Sequence, residues 1–187
     1  MSTDDARAFA DADDELVRRM ALGDQGACAG LLERHLDRIR ALAQRMLGNV
    51  DDANDVAQDT FLRAWQLAPD WQAGRARFST WLYRVALNLC RDRLRARRPE
   101  SAIDTVDLAD AAPSPEGVAH HDQLVARLDV ALHRLPLRQR EALVLFHDHG
   151  LSQAEIAASL DISVEAVESL LARSRRALRR SLQEPLT

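Results

Sequence analysis

Apolar residues recur every three or four positions along most of this chain, which is the spacing of one buried face of an α-helix. The predicted helices lie at 15–21, 26–47, 51–66, 79–97 and, after a long interruption, within 122–182. Ala, Leu and Arg dominate the sequence, and aromatic residues make up only 4% of it. Such a composition favours helices over strands, which prefer β-branched and aromatic side chains. We therefore predict an all-α fold.

The helical pattern stops at Arg98 and resumes near Asp122. The residues between them are mainly prolines, acids and small residues, which bury too little surface to offset the entropy of ordering them. Two small helical domains joined by a flexible acidic linker are the predicted architecture. The predicted segments are an acidic, disordered N-terminus at 1–13, a helical domain at 14–98, the linker at 99–121 and a second helical domain at 122–183.

The formal net charge of −4 hides a strong segregation of charge along the sequence. Residues 84–98 contain six arginines against one acid, and residues 163–180 contain five arginines against two acids. Residues 1–15 and 99–122 are acidic. Two basic segments set between acidic ones are typical of a nucleic-acid-binding protein whose net charge conceals its binding surfaces.

The first basic segment combines arginines with aromatic residues. Arg84, Asn88, Arg91 and Arg95 fall on one face of the predicted helix, whose start carries Phe78, Trp81 and Tyr83. Single-stranded nucleic acid is bound by such a combination, because bases stack on rings while arginines follow the phosphates. The alternative is that Phe78 and Trp81 simply close the core of the domain.

The second basic segment belongs to a predicted helix-turn-helix. Ser152 and Glu155 form a capping box at the start of a short helix, Asp161 and Ile162 make a turn, and Ser163 caps a longer helix that ends in arginines. In this motif the second helix enters the major groove of DNA. The alternative is an αα-hairpin with a solvated basic end.

No catalytic or metal-binding pattern stands out from these segments. Cys28 and Cys90 form neither a CxxC nor a disulfide framework, and His147 and His149 point in different directions on a helix. We expect no metal, no cofactor and no small-molecule substrate. The acidic first residues and the lack of an apolar run of membrane length lead us to expect a cytoplasmic protein.

Several motifs in a fixed order resemble those of the extracytoplasmic-function (group IV) sigma factors of bacterial RNA polymerase. They are Gly23-Asp24, DANDVAQDTFLRAW at 52–65, FSTWLYRVALN at 78–88, RDRLR at 91–95, and Leu135-Pro136 followed by the helix-turn-helix. The resemblance extends from about Leu16 to Leu182. It implies an alternative sigma factor with a region 2 helical bundle and a region 4 helix-turn-helix, which directs core polymerase to promoters and has no catalytic site.

The resemblance also implies partners and site residues. Core polymerase would be bound through its largest-subunit clamp by Asp52, Asp55, Gln58, Asp59 and Leu62, and its flap would meet region 4. The promoter −10 element would be opened by the loop from Gln66 to Arg77 and the helix from Phe78 to Arg98, which would also capture a flipped base. The −10 DNA would be bound by Phe78, Trp81, Tyr83, Arg84, Asn88, Arg91 and Arg95. The −35 element would be read by Ser163, Val164, Glu165, Glu168, Ser169, Arg173, Arg175 and Arg176. A cognate anti-sigma factor, either soluble or membrane-anchored, would mask these surfaces.

Two departures from the family pattern bear on specificity. The family often places Glu where this chain has Asn54, and many relatives carry Lys or Arg where this chain has Glu168 and Leu170. Because Glu accepts a hydrogen bond from the cytosine amino group, we expect an altered base preference. Two other hypotheses stay open at this point: a stand-alone helix-turn-helix regulator, and a sigma-like decoy that titrates an anti-sigma factor.

Overall fold

A computed structural model describes residues 13–97 and 120–183, with side chains from 127 onward in the second range. All regular structure in these residues is helical, which confirms the all-α prediction. The chain divides into two compact units, Met1–Arg95 and Ala96–Thr187. Of the predicted linker at 99–121, only the last two positions lie within the described residues, where they open a helix. The exact domain limits stay a prediction.

The described residues of the first unit form four α-helices and one short 3₁₀ turn. They are α1 (13–21), α2 (Gln25–Leu47), α3 (Val50–Leu67), the 3₁₀ turn Ala68–Asp70, and α4 (Phe78–Ala96). Helices α2 and α3 pack against each other. Leu42, Val56 and Leu82 are fully buried in this unit, and Cys90 is buried as the periodicity predicts. The helix α1 already includes Asp13, whose side chain is buried.

The boundary between α2 and α3 differs from the prediction by a few residues. Gly48 ends α2 with a φ of 69°, a left-handed conformation that glycine adopts without strain. Asn49 is then the N-cap of α3, because its side-chain oxygen accepts a hydrogen bond from the Asp52 amide at 3.0 Å. The predicted cap, Asp51, instead lies in the first turn, where its negative charge is favourable near the helix N-terminus.

In the second unit, the part of the chain that the structure describes also forms four helices. They are α5 (His120–His133), α6 (Leu137–His147), α7 (Gln153–Leu160) and α8 (Val164–Gln183). Helix α8 packs against each of the other three. Leu145, Ile156 and Leu171 form part of the buried core. Pro136 occupies the N-cap of α6, so the proline lies one position before the first helical turn and costs no hydrogen bond.

A buried arginine joins α5 to α6. Arg140 is 1% exposed, and its guanidinium donates hydrogen bonds to the carbonyl oxygens of Leu132, at 3.0 Å, and of His133. Burial lowers the pKa of Arg140 to about 10, against an opposing effect of neighbouring Glu141. The side chain is therefore still charged at neutral pH, and it adds charged donors at the end of α5, where the Leu132 carbonyl also accepts a hydrogen bond from the Leu135 amide at 3.1 Å.

Candidate polymerase and nucleic-acid interfaces

The polar face of α3 is acidic near its start and apolar near its end. Asp55 and Gln58 are exposed, and one to two turns later Leu62 and Trp65 are 51% and 57% exposed. Large apolar side chains exposed beside acids are typical of a surface that meets another protein. Trp65 was not among the predicted site residues, although its spacing from Leu62 already put both on one helix face.

The acids of this face are also held by a side chain of α4. The Arg93 guanidinium lies 3.9 Å from a carboxylate oxygen of Asp52, 3.6 Å from one of Asp55 and 3.5 Å from one of Asp59. Its side chain is 25% exposed. One positive charge is thus shared by three negative ones, and α3 is linked to α4, the helix that carries the aromatic and arginine residues. The sequence suggested only that Arg93 points inward.

The predicted stripe on α4 lies at the surface. Arg84, Asn88 and Arg95 are exposed and Arg91 is half-buried. The Arg91 guanidinium donates a hydrogen bond of 2.6 Å to the Asn88 side-chain oxygen, which orients both groups. Arg95 lies 3.6 Å from Asp92 on the same helix. The stripe therefore presents guanidinium and amide donors along one continuous helix face.

The aromatic residues at the start of α4 divide into buried and half-buried rings. Phe78 and Tyr83 are 1% and 4% exposed, so these two predicted DNA-binding residues belong to the core and offer no ring face to a base. Trp81 is half-buried and stacks on Phe78, with centroids 6.0 Å apart. Trp71, from the preceding loop, is also half-buried and meets Trp81 edge-on at 6.4 Å. Trp71 lies in the loop that the resemblance assigns to −10 opening, but no periodicity in the sequence marks this residue within it.

The helix-turn-helix has the local bonds that its sequence predicts. The Glu155 carboxylate accepts a hydrogen bond from the Ser152 amide at 2.9 Å, and the Ser152 hydroxyl accepts one from the Glu155 amide at 3.3 Å. Asp161, with a φ of 57°, makes the left-handed turn between α7 and α8. The Ser163 hydroxyl then accepts a hydrogen bond from the Ala166 amide at 3.3 Å. These caps fix the angle at which α8 leaves the motif.

Helix α8 presents its predicted DNA-binding residues to solvent. Val167 and Leu171 are buried against the rest of the unit. The exposed set comprises all eight predicted residues: Ser163, Val164, Glu165, Glu168, Ser169, Arg173, Arg175 and Arg176. The pKa of Glu165 is lowered, because its own backbone amide and the Ser163 hydroxyl donate hydrogen bonds to the carboxylate.

The arginines of the second half of α8 border a shallow groove. Arg173, Arg176, Arg179 and Arg180 line it together with Gln139 and Pro136 from the start of α6, and its volume is about 720 Å³. Among the residues that the structure describes, no carboxylate lines this groove. A groove with cationic and amide donors suits an anionic backbone such as that of DNA.

Metal-ligand clusters and membrane-spanning helices are both absent from the described residues. Among the described side chains, those of residues 13–97 and 127–183, no group of three or more His, Cys, Asp and Glu residues is arranged to hold a metal ion. No helix in the described part of the chain is long and apolar enough to cross a lipid bilayer.

Comparison with known proteins assigns both units. Residues 31–100 match Sigma-70 region 2, and residues 126–178 match Sigma-70 region 4. The chain is 34% identical over 184 residues to the ECF RNA polymerase sigma factor SigW of Bacillus subtilis, covering 90% of this chain and 95% of that protein. It is 37% identical over 179 residues to the RNA polymerase sigma factor CnrH of Cupriavidus metallidurans, covering 90% of this chain and 93% of CnrH.

Solved structures agree with this assignment. The structure of CnrH in complex with the cytosolic domain of CnrY matches with a TM-score of 0.70 and 35% identity, over 91% of this chain and 97% of that one. The sigma factor RpoE bound to the anti-sigma factor NepR from Bartonella quintana shares the fold, with a TM-score of 0.65 and 24% identity over 84% of this chain. The chain belongs to the extracytoplasmic-function sigma factors, the promoter-directing subunits of bacterial RNA polymerase.

Proposed function

We propose that this sigma factor holds a promoter at two places while one helix face binds core polymerase. The half-buried Trp81 and the stripe Arg84, Asn88, Arg91 and Arg95 bind the unpaired strand of the −10 element. Phe78 and Tyr83 support that surface from the core. The observation that carries the proposal is this exposed stripe beside half-buried tryptophans, because a protein that binds only duplex DNA has no need of it.

The second contact with the promoter is made by α8, which binds the −35 duplex. Its first exposed residues, Ser163, Val164, Glu165, Glu168 and Ser169, lie where a recognition helix meets base edges in the major groove. Arg173, Arg175 and Arg176 lie further along the helix and contact phosphates, which adds affinity without sequence information. The second unit also binds the polymerase flap.

The α3 face binds the clamp coiled coil of the polymerase largest subunit. Asp52, Asp55 and Asp59 supply charge, Gln58 supplies hydrogen bonds, and Leu62 with Trp65 supplies apolar area. The chain itself catalyses no reaction and acts in the cytoplasm. An anti-sigma factor masks its surfaces until a signal arrives, by analogy with CnrH, which was solved with the cytosolic domain of CnrY.

The test is reconstitution with core RNA polymerase. We expect the chain to co-elute with core enzyme and to select, from a library of random DNA, templates that share one −35 and one −10 sequence. Tight binding to duplex DNA by a dimer of the chain alone would instead favour a stand-alone regulator. Failure to bind core polymerase at all would overturn the proposal.

A further inference from the structure

The loop between the 3₁₀ turn and α4, residues 71–77, is held by a residue that lies far away in the sequence. Asp14 of α1 accepts a hydrogen bond from the Trp71 indole N–H at 2.7 Å through one carboxylate oxygen. Its other oxygen accepts one from the Gly74 backbone amide at 3.2 Å. A single carboxylate therefore fixes both the ring at the start of the loop and the turn in its middle.

Each of these bonds suits its role. Gly74 has a φ of 78°, so the backbone turns sharply there and directs its amide toward Asp14. An ionised acceptor forms stronger hydrogen bonds than a neutral one. Trp71 in turn packs edge-on against Phe78 at 5.4 Å and against Trp81 at 6.4 Å. The position of the Trp71 ring thus depends on Asp14, and Trp71 borders Trp81 of the proposed −10 surface.

The neighbouring residue, Asp13, fixes α1 itself. It is buried, and its carboxylate lies 3.0 Å from the Arg34 guanidinium and 2.8 Å from the His35 ring nitrogen, both on α2. The His35 ring lies edge-on to Phe78 at 6.2 Å. Two adjacent carboxylates of α1 therefore bind different elements: Asp13 contacts α2, and Asp14 accepts hydrogen bonds from the loop. The match to Sigma-70 region 2 begins only at residue 31, so both lie before it.

We propose that Asp14 is a positioning residue for promoter opening: by holding Trp71 and Gly74, it fixes the loop 71–77 in the conformation that receives the unpaired −10 strand. The proposal rests on the function proposed above for α4. It assigns to α1 a part in strand capture, since ordering the loop in the free protein removes an entropy cost that DNA binding would otherwise carry.

The test uses the full chain with core polymerase and compares Asp14→Ala, Asp14→Asn, Trp71→Phe and the double variant Asp14→Ala/Trp71→Phe. The matched control is Glu15→Ala, because Glu15 is the next carboxylate along α1 and pairs with exposed Arg18 at 2.6 Å instead of the loop. The readouts are affinity for a single-stranded −10 oligonucleotide, promoter opening followed by 2-aminopurine fluorescence, affinity for the −35 duplex, and the thermal unfolding midpoint.

We expect Asp14→Ala to weaken −10 strand binding and opening by about tenfold, the weight of one charge-assisted hydrogen bond. Affinity for the −35 duplex should stay unchanged. Trp71→Phe should act in the same direction, and the double variant should be no worse than the more affected single variant, because both substitutions remove the same Asp14–Trp71 hydrogen bond. Asp14→Asn should restore part of the activity, since an amide oxygen still accepts the indole N–H. Glu15→Ala should behave as the unchanged protein.

Two results would overturn the proposal. One is that Asp14→Ala opens promoters as well as Glu15→Ala does. The other is that Asp14→Ala weakens −10 and −35 binding equally while lowering the unfolding midpoint, which would indicate a purely structural role. Hydrogen exchange of the Gly74 amide, measured in the free protein, tests whether Asp14 holds the loop, and it does so independently of whether the chain binds the −10 strand. If the unchanged chain bound no −10 strand, the proposed function would fail, whereas exchange equally slow in Asp14→Ala and Glu15→Ala would contradict the loop-holding role alone.

Discussion

The helices α4 and α8 are both rich in arginine, but their arginine side chains make different contacts. On α4, Arg91 is bonded to Asn88 and Arg93 faces three carboxylates of α3. On α8, the arginines at 173, 175, 176, 179 and 180 are exposed, and among the described residues none of them lies within ion-pair distance of a carboxylate. The α4 side chains are thus held by contacts within the protein, whereas the α8 arginines project into solvent, Arg175 with its guanidinium 5.2 Å from the centre of the Phe146 ring.

This difference fits the two forms of DNA that we assign to the helices. An unpaired strand is flexible, so the protein surface must define its path, and fixed donors beside aromatic rings do so. A duplex is already rigid, and long arginines on an exposed helix can adjust to its phosphates. The contrast can be tested by removing charge from each helix in turn.

The largest expected effect comes from Arg173→Ala/Arg176→Ala. Loss of two phosphate contacts should weaken −35 duplex binding by about a hundredfold at low salt, counting about tenfold for each charged contact. It should also reduce the slope of log K against log salt by roughly 2. Fluorescence anisotropy of a labelled −35 duplex, titrated over a range of salt concentrations, measures both quantities.

A control for net charge is available on α2. Arg38→Ala/Arg40→Ala removes two exposed arginines from the other unit and should leave the salt slope nearly unchanged. If the two double variants lost affinity for the duplex equally, the assignment of phosphate contacts to α8 would be wrong.

A smaller effect is expected from Glu168→Gln, and it concerns specificity. Glu168 is exposed on α8 and can accept a hydrogen bond from a cytosine amino group. The variant should change the preferred base at one −35 position by about tenfold and leave the other positions as they were. Binding selection from duplexes randomised across the −35 element measures this change.

Glu165→Gln is the matched variant for this measurement, because the Glu165 carboxylate is already engaged by its own amide and by Ser163. It should shift base preference less than Glu168→Gln does. A uniform gain in affinity for all sequences after Glu168→Gln would show that this residue only repels phosphates.

The smallest expected effect is that of Arg93→Ala on stability. The pairs are 3.5 to 3.9 Å long and partly exposed, so their loss should lower the free energy of unfolding by about 1 kcal/mol or less. The difference should shrink at high salt, where surface charges are screened. Denaturant unfolding at two salt concentrations measures it, with exposed Arg63 on α3 as the control substitution. No difference between the two variants at low salt would contradict the linking role of Arg93.

The sequence could predict the features that depend on neighbouring residues, but not those that depend on residues far apart in the chain. The capping box at Ser152 and Glu155 and the exposed face of α8 depend on residues within one or two turns of each other, so spacing alone indicated them. Arg93 meets acids about 40 positions earlier, and Asp14 meets Trp71 after 57. Such contacts depend on how helices and loops pack, and periodicity does not encode them. The depth of Phe78 and Tyr83 in the core also follows from packing. The sequence therefore leaves open whether Phe78 binds DNA or closes the core, and it predicts only a DNA-binding role for Tyr83.

Promoter-dependent transcription by core polymerase tests the central claim most directly. The measurement compares run-off transcripts from one linear promoter template with core enzyme alone, with core enzyme plus the chain, and with core enzyme plus Arg84→Ala/Arg91→Ala. The account predicts a discrete transcript only when the unchanged chain is present, and its near loss with the α4 variant while −35 duplex binding persists. A transcript that is equally strong without the chain, or that is unaffected by the α4 substitutions, would contradict it.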